Sequence, residues 1–524
     1  MDDTISLPLS RNRVLTRSLM LELAVIVAGG FTAYGALGSW LWRGGFVSTP
    51  LLFLAEKMAI ANGGAPSRII GAAFVYPPLA LVLMAPFHNP IVGQAALAAI
   101  VDGLFIFWTR RHIRSPLTRR LTQLSFLGSG VILYTSIEDA GALLACELAA
   151  LATFALLRFF EKNYSLDLFA AGAFVGLTFF IDFRVIALAI VFVPTLIWTA
   201  GHTSREKFVA VLITLVVPSF LMALGWTFVN WVFLGDPIAF AHGPTSFFHI
   251  RALPAHPDFT PQSLLGLGLM LSPVWVAPHA LRHLDRRTRL AAIFILLASL
   301  LWAFGFSTQT ANGAITIWLI PLGVAIAFSA TRKASLLLNT ALIVSVVGSW
   351  LFISTGNADA GSFYRSLTSL TPVSNTTRAR TIGAATAGAR HVLIDDADLY
   401  GVVALDENTE RFILPYARTF AKALENPQLF ADAIVVSTAG NDRVLQRYPS
   451  LAAGALPGYH AAGNVDGARI FTRITPVPES GPPLAMTIPG AWHIAYLVLC
   501  ALLALGIVAG MRHTSLKLTG NGAL

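Results

Sequence analysis

What most limits the fold of this chain is the recurrence of apolar runs almost free of charge, several of them about 18–22 residues long and enough to cross a hydrocarbon core of about 30 Å. They fall near 18–40, 90–108, 120–136, 140–158, 168–181, 185–200, 208–234, 262–281, 289–305, 312–329, 334–353 and 488–510. Backbone polar groups in a bilayer must be satisfied within the protein, so runs of this length fold as helices. Only 12% of the 524 residues are charged, about half the share in a soluble protein of this size. The expectation is a polytopic α-helical membrane protein with about twelve transmembrane helices. The first run, behind Asp2, Asp3, Arg11, Arg13 and Arg17, lacks a small-residue cleavage site and reads as a retained span, not a signal peptide.

One apolar stretch is excluded from that count. Gly71–Phe87 is short and contains Pro77 and Pro78. Pro78 has no N–H to give a helix, and Pro77 biases Tyr76 away from helical backbone. Lysine and arginine decide the matter, because they gather on the cytoplasmic side of short loops. With the N-terminus inside and Gly71–Phe87 not crossing, 20 basic residues fall in cytoplasmic segments and 5 in the opposite short loops. The remaining 11 of the 36 lie in one large outer segment. A full crossing would turn the cluster Arg110, Arg111, Arg114, Arg119 and Arg120 outward. Gly71–Phe87 is therefore expected to be re-entrant or surface-lying within a first outer loop, 41–89. The protein is placed in the cytoplasmic (inner) membrane, with both termini cytoplasmic. The net charge of +9 follows this loop bias, which argues against nucleic acid as a partner. Cys146 and Cys500 sit in apolar runs and form neither a disulfide framework nor a cysteine metal site.

Residues 354–486 differ in kind. "HVLID" (391–395) and "AIVVST" (433–438) read as buried strands, and "LPYARTFAKALEN" (414–426) as an amphipathic helix. The division is a transmembrane unit 1–353, a small extracytoplasmic α/β domain 354–486, and a final span with a cytoplasmic tail, 487–524, entered through the Pro-rich "TPVPESGPP" (475–483).

Acids are scarce, and those present gather at outer span ends. Glu56 lies in the first outer loop, Glu138 and Asp139 in "YTSIEDAGALL", Asp182 and Arg184 in "FIDFR", and Asp236 and Arg251 in the fourth loop. Such groups in membrane segments are costly and usually face a cavity or a partner. Each also has a plain structural reading. Glu138 and Asp139 can cap the helix beginning at Ala140, Glu56 can pair with a neighbouring base, and Asp182 with Arg184. His242, His249 and His256 are too far apart for one helical face. Asp102 and Glu147 lie inside apolar runs, where a packed polar contact or a proton path are the alternatives.

"AEKMAIANGG…YPPLALVLMAP" (55–86), "SIEDAGALLACELAALATFALLRFF" (136–160) and "NWVFLGDPIAF" (230–240) together resemble the GT-C superfamily of membrane glycosyltransferases. The branch is that of the polyprenyl-phosphate-dependent aminoarabinose and mannosyl transferases, and an outer domain with "VLIDD" and "DRVLQRYPSL" fits it. The resemblance implies a sugar carried on a polyprenyl phosphate and an inverting transfer to an envelope glycan, glycolipid or protein outside the membrane. An acid of the first loop would act as general base. Here "RGGFVSTPLLFL" (43–54) carries no acid where the family usually has an aspartate, so the role falls to Glu56, Asp139 or Glu138. Arg68, Arg184 and Arg251 are the candidates to hold the phosphate, with Tyr76, Asp182 and Asp236 lining the substrate. No cofactor beyond the lipid-linked donor is called for, and a divalent metal is left open. Two other readings stand beside the enzyme: a non-catalytic GT-C-like protein that binds lipid-linked glycan or scaffolds a polysaccharide export or polymerisation complex, and a transporter. The paired interrupted halves of a transporter are not evident in the sequence.

Overall fold

The computed structural model describes residues 17–62, 75–113, 115–162, 164–183, 192–197, 205–242, 260–280, 288–289, 292–293, 296, 336–355, 358–406, 408–415, 417, 419–438 and 442–474. Among them five helices are long and apolar enough to cross a membrane. They lie in α1 (Arg17–Arg43), α4 (Pro90–His112), α7 (Ala140–Lys162), α9 (Arg205–Leu234) and α13 (Leu336–Ser354). The expected runs at 312–329 and 488–510 lie outside the described residues, as does nearly all of 289–305. The chain is a multi-pass α-helical membrane protein carrying a small α/β domain. Large apolar side chains of α9, among them Phe220, Leu221, Phe228 and Trp231, are exposed, as side chains that face lipid must be.

Between these run α2 (Thr49–Asn62), α3 (Pro78–Met84), α5 (Pro116–Leu127), α6 (Gly130–Glu138), α8 (Ser165–Phe179), α10 (Ala239–His242), α11 (Pro261–Met270) and α12 (Ser272–Ala280). Glycine lets several pairs meet backbone to backbone. A β-carbon at Gly266 would stand 2.6 Å from the Phe352 nitrogen, and one at Gly348 2.2 Å from the Met270 nitrogen, which fixes α11 antiparallel to α13. Gly30 meets Ala99 and Gly38 meets Ile91, so α1 and α4 are also antiparallel. Arg43 and Pro90 are thus at the same end of the bundle, with the whole loop 44–89 between them. Within that loop the apolar helix Pro78–Phe87 is ten residues long and rises only about 15 Å. Pro77 precedes it in extended backbone and Pro78 occupies its first turn, where a missing N–H costs nothing.

The α/β domain follows α13 at this same end. It comprises α14 (Ala358–Ser369), α15 (Thr377–Ala385), β1 (Val392–Ile394), α16 (Asp396–Ala404), β2 (Phe412–Ile413), α17 (Phe420–Glu425), α18 (Pro427–Phe430), β3 (Ala433–Ser437), α19 (Arg443–Arg447), β4 (Tyr459–Val465) and β5 (Ala468–Arg473). The sheet order is β2-β1-β3-β5-β4; the first three strands are parallel and the last two pair antiparallel. Alternation divides the core: Val392, Ile394 and Val435 face one side, Leu393, Ile434 and Val436 the other. The two strands expected at 391–395 and 433–438 are β1 and β3. The helix expected over 414–426 is only Phe420–Glu425. Phe412 and Ile413 pair with Val392 and Leu393, Leu414 is buried in the core after them, and its carbonyl accepts from Ala417 N–H in a turn, so the helix starts late. The linker 475–483 lies outside the described residues.

Candidate functional site

The loop end of the bundle is organised around Ser48, the residue before α2. Its hydroxyl accepts from Leu51 N–H at 3.2 Å, a helix cap, and donates to the Glu138 carbonyl at 2.8 Å. Its backbone N–H donates to Glu138 Oε2 at 2.8 Å. The segment with no acid of its own therefore has one delivered by the end of α6. Glu138 and Ser48 are both buried.

Asp139 follows in the break between α6 and α7. Its Oδ1 accepts from Ala142 N–H at 3.1 Å, capping α7 as the sequence suggested. A β-carbon at Gly141 would lie 2.9 Å from Ala80 Cβ, 3.6 Å from Asp139 Oδ1 and 3.8 Å from Ile181 Cγ2. Asp139, the start of α3 and the turn after α8 are thus brought together. Leu79 N–H donates to the Phe180 carbonyl at 3.2 Å, and Tyr76 Oη to the Phe179 carbonyl. Tyr76 is fully buried and packs on Phe179, Phe183 and Phe240 with centroids 5.5–6.1 Å apart. Asp182 closes the α8 turn by donating its N–H to the Thr178 carbonyl at 2.9 Å. Asp236 Oδ1 accepts from Ile238 N–H at 3.0 Å and shapes the turn that brings Phe240 to the same cluster. Asp139, Tyr76 and Asp182 thus share one neighbourhood, with Asp236 at its edge.

Glu56 lies elsewhere. It is two turns along α2 from Ser48, a rise of about 12 Å, and its exposure is 0% against 8% for Asp139. Lys57 Nζ lies 2.6 Å from Asp396 Oδ2, the first residue of α16, and 2.9 Å from Glu56 Oε2, an ionic contact without hydrogen-bond geometry. Lys57 also sits 5.0 Å over the Phe53 ring. Glu56 Oε1 and Asp396 Oδ1 have no hydrogen-bond partner. Burial drives the Glu56 carboxyl well above the usual carboxylate range; Lys57 pulls it back and Asp396 pushes it up again. Burial works against the Lys57 ammonium, but Asp396 and Glu56 more than offset it and hold it above the usual lysine range. Glu56 is therefore a member of a sealed charge cluster in which burial favours its protonated form.

Sequence reasoning did not single out Ser48, Lys57 or Asp396. A lysine beside a glutamate in an otherwise apolar helix, and a paired acid closing a buried strand in "VLIDD", were the available signals. Arg68, Arg184 and Arg251 lie outside the described residues, as do His249 and His256. Among the described residues no three His, Cys, Asp or Glu side chains are gathered to hold a metal ion.

No protein-family model matches the chain, and no curated protein matches it significantly. Among solved structures it is similar to ArnT from Cupriavidus metallidurans. The form bound to undecaprenyl phosphate is 12% identical with a TM-score of 0.47, covering 90% of this chain and 99% of that one. The apo form is 13% identical with a TM-score of 0.45, covering 87% and 98%. At these values neither match assigns an activity, a donor or an acceptor to this chain.

Proposed function

We propose that this protein is a membrane glycosyltransferase that moves a sugar from a polyprenyl-phosphate donor to a hydroxyl of an envelope glycan, glycolipid or protein on the extracytoplasmic side. The observation that carries the proposal is the placing of Asp139 at the loop end of the bundle, against the proline-started helix α3 and the turn at Ile181–Asp182. The residues that resemble the GT-C superfamily supply two of these three elements. The acceptor hydroxyl attacks the anomeric carbon from the face opposite the phosphate. Its O–H proton passes to the Asp139 carboxylate, the C–O bond to phosphate breaks, and the phosphate leaves with the electron pair. Glu138 holds the loop at Ser48 and acts through position. General-base help of this kind is worth about 10²–10⁴ in rate. Asp139→Asn keeps an oxygen for the cap but cannot take the proton. It should cut turnover by about that factor, read as sugar transferred from a synthetic polyprenyl-phosphate donor by purified protein. Full activity of Asp139→Asn would remove Asp139 from the role.

One observation favours the non-catalytic reading: Glu56 and Glu138 are both buried in structural contacts. Under it the protein binds lipid-linked glycan or scaffolds an export complex. Release of sugar from the donor by the wild-type protein would exclude it.

A further inference from the structure

The parallel strands of the outer domain define a place where such sheets take ligands. The chain leaves β1 towards β2 on one side and leaves β3 towards β5 and β4 on the other, so a crevice opens between their carboxyl ends. The residues there are acidic and mostly engaged within the domain. Asp395 Oδ2 accepts from Arg443 N–H at 2.9 Å, Asp442 Oδ2 from Ser437 N–H at 2.8 Å, and Asp398 from the Ser437 hydroxyl. Asp396 instead meets Lys57 of α2.

Other contacts bring the same loop into the domain. Ile60 belongs to the core on one face of the sheet. Leu52 packs where a β-carbon on Gly401 would stand 2.8 Å from its Cδ2. Phe53 meets Tyr400 edge-on at 6.3 Å. Asn375 exchanges hydrogen bonds with Val47 N–H and C=O at 3.0 and 2.7 Å, and Asp359 accepts from Thr49 N–H at 2.8 Å.

We propose that the first outer loop is the ligand of this domain. In this proposal Lys57 and Asp396 are positioning residues: they set α2, and through Ser48 and Glu138 they set Asp139, for the transfer proposed above, on which this inference rests. A well-packed apolar pair would hold the seam at least as tightly, so the buried Lys57–Asp396 pair, with Glu56 beside it, serves register more than strength. Lys57 reaches Asp396 at one height and one rotation of α2; a slip of one residue turns it away by about 100°. The outer domain is then part of the catalytic apparatus through geometry, without touching substrate.

The test uses the full chain with Cys146 and Cys500 replaced by alanine, and a disulfide reporter, Leu52→Cys with Gly401→Cys. Lys57→Met should slow oxidation of that pair at least tenfold. It should lower turnover at least tenfold with the donor KM within twofold. Once oxidised, the disulfide should return the turnover of Lys57→Met to within threefold of the parent, and reduction should abolish the rescue. Unchanged oxidation in Lys57→Met overturns the clamp whether or not any transfer is seen. Lost turnover that the disulfide does not restore overturns the positioning role. Absence of transfer by the parent itself would instead count against the proposed function, while the oxidation rates still decide the clamp.

Discussion

Removing Lys57 and removing Asp396 should not be equivalent, although they are two ends of one 2.6 Å contact. Lys57→Met leaves Glu56 and Asp396 side by side, buried, with no cation between them. Breaking a buried pair in this way costs about 3–5 kcal/mol at neutral pH, because a charge is left uncompensated. Asp396→Asn leaves Lys57 with Glu56, 2.9 Å away. Burial raises Glu56, and Asp396 adds to that by repulsion. Without Asp396 the Glu56 proton is released more readily and the glutamate takes over as counter-ion. What is lost is close to one charge-assisted hydrogen bond, about 1.5–3 kcal/mol. The two variants should also differ with pH. In Lys57→Met the cation that pulls the Glu56 carboxyl back down is gone, so Glu56 holds its proton more tightly folded than unfolded and the folded state gains stability as pH falls. The gain is limited to about 1.4 kcal/mol per pH unit for this one carboxyl. Thermal unfolding in detergent between pH 5 and pH 8 would show Lys57→Met recovering in acid and Asp396→Asn recovering far less. Equal damage from both at pH 7, or a Lys57→Met deficit that does not shrink in acid, would refute the reasoning.

Two further outcomes follow from the same contacts. Asp442 is pushed up to about 6, chiefly by burial, against the hydrogen bonds it accepts from Ser437 and Leu445. Its folded-state affinity for a proton exceeds the unfolded one, so its contribution is greatest below about pH 4. That contribution is lost as pH rises to about 6, roughly 3 kcal/mol in all; Asp442→Asn should flatten this part of the stability profile in pH-dependent unfolding. Ser48→Ala removes the cap of α2 and the donor to the Glu138 carbonyl. It should cost about 1–3 kcal/mol and lower transfer with little change in donor KM, which steady-state kinetics would register.

The membrane part was legible because one physical rule dominates it. A run such as 90–108 has no alternative to a helix in lipid, and α4 spans Pro90–His112. For the proline-broken stretch charge alone supplied the expectation, through the arginines after Trp108, and what the structure adds is that α1 and α4 on either side of it run antiparallel. What the sequence hid was pairing across long separations. Nothing near Lys57 indicates a partner 339 residues away. The misplaced helix at 414–426 has the same cause, because Phe412 and Ile413 are claimed by strand pairing and Leu414 by the core beside them, which local periodicity cannot see. The hairpin β4–β5 did leave a local sign: Asp466-Gly467 turns with φ 42° and 78°, the pattern an Asp-Gly hairpin requires.

The acids at the loop end show why catalysis and scaffolding need not be alternatives here. Asp139 caps α7, Glu138 receives the Ser48 N–H, Asp359 receives that of Thr49, and Asp236 that of Ile238. A carboxylate held by a backbone N–H has its plane fixed before substrate arrives, which is the condition a general base must meet to act without reorganising. A cap therefore does not argue against a role for Asp139. Glu56 differs, because its carboxyl is enclosed in the cluster with Lys57 and Asp396 and is fully buried. Of the three acids first considered for proton transfer, the one with both a fixed orientation and remaining exposure is Asp139.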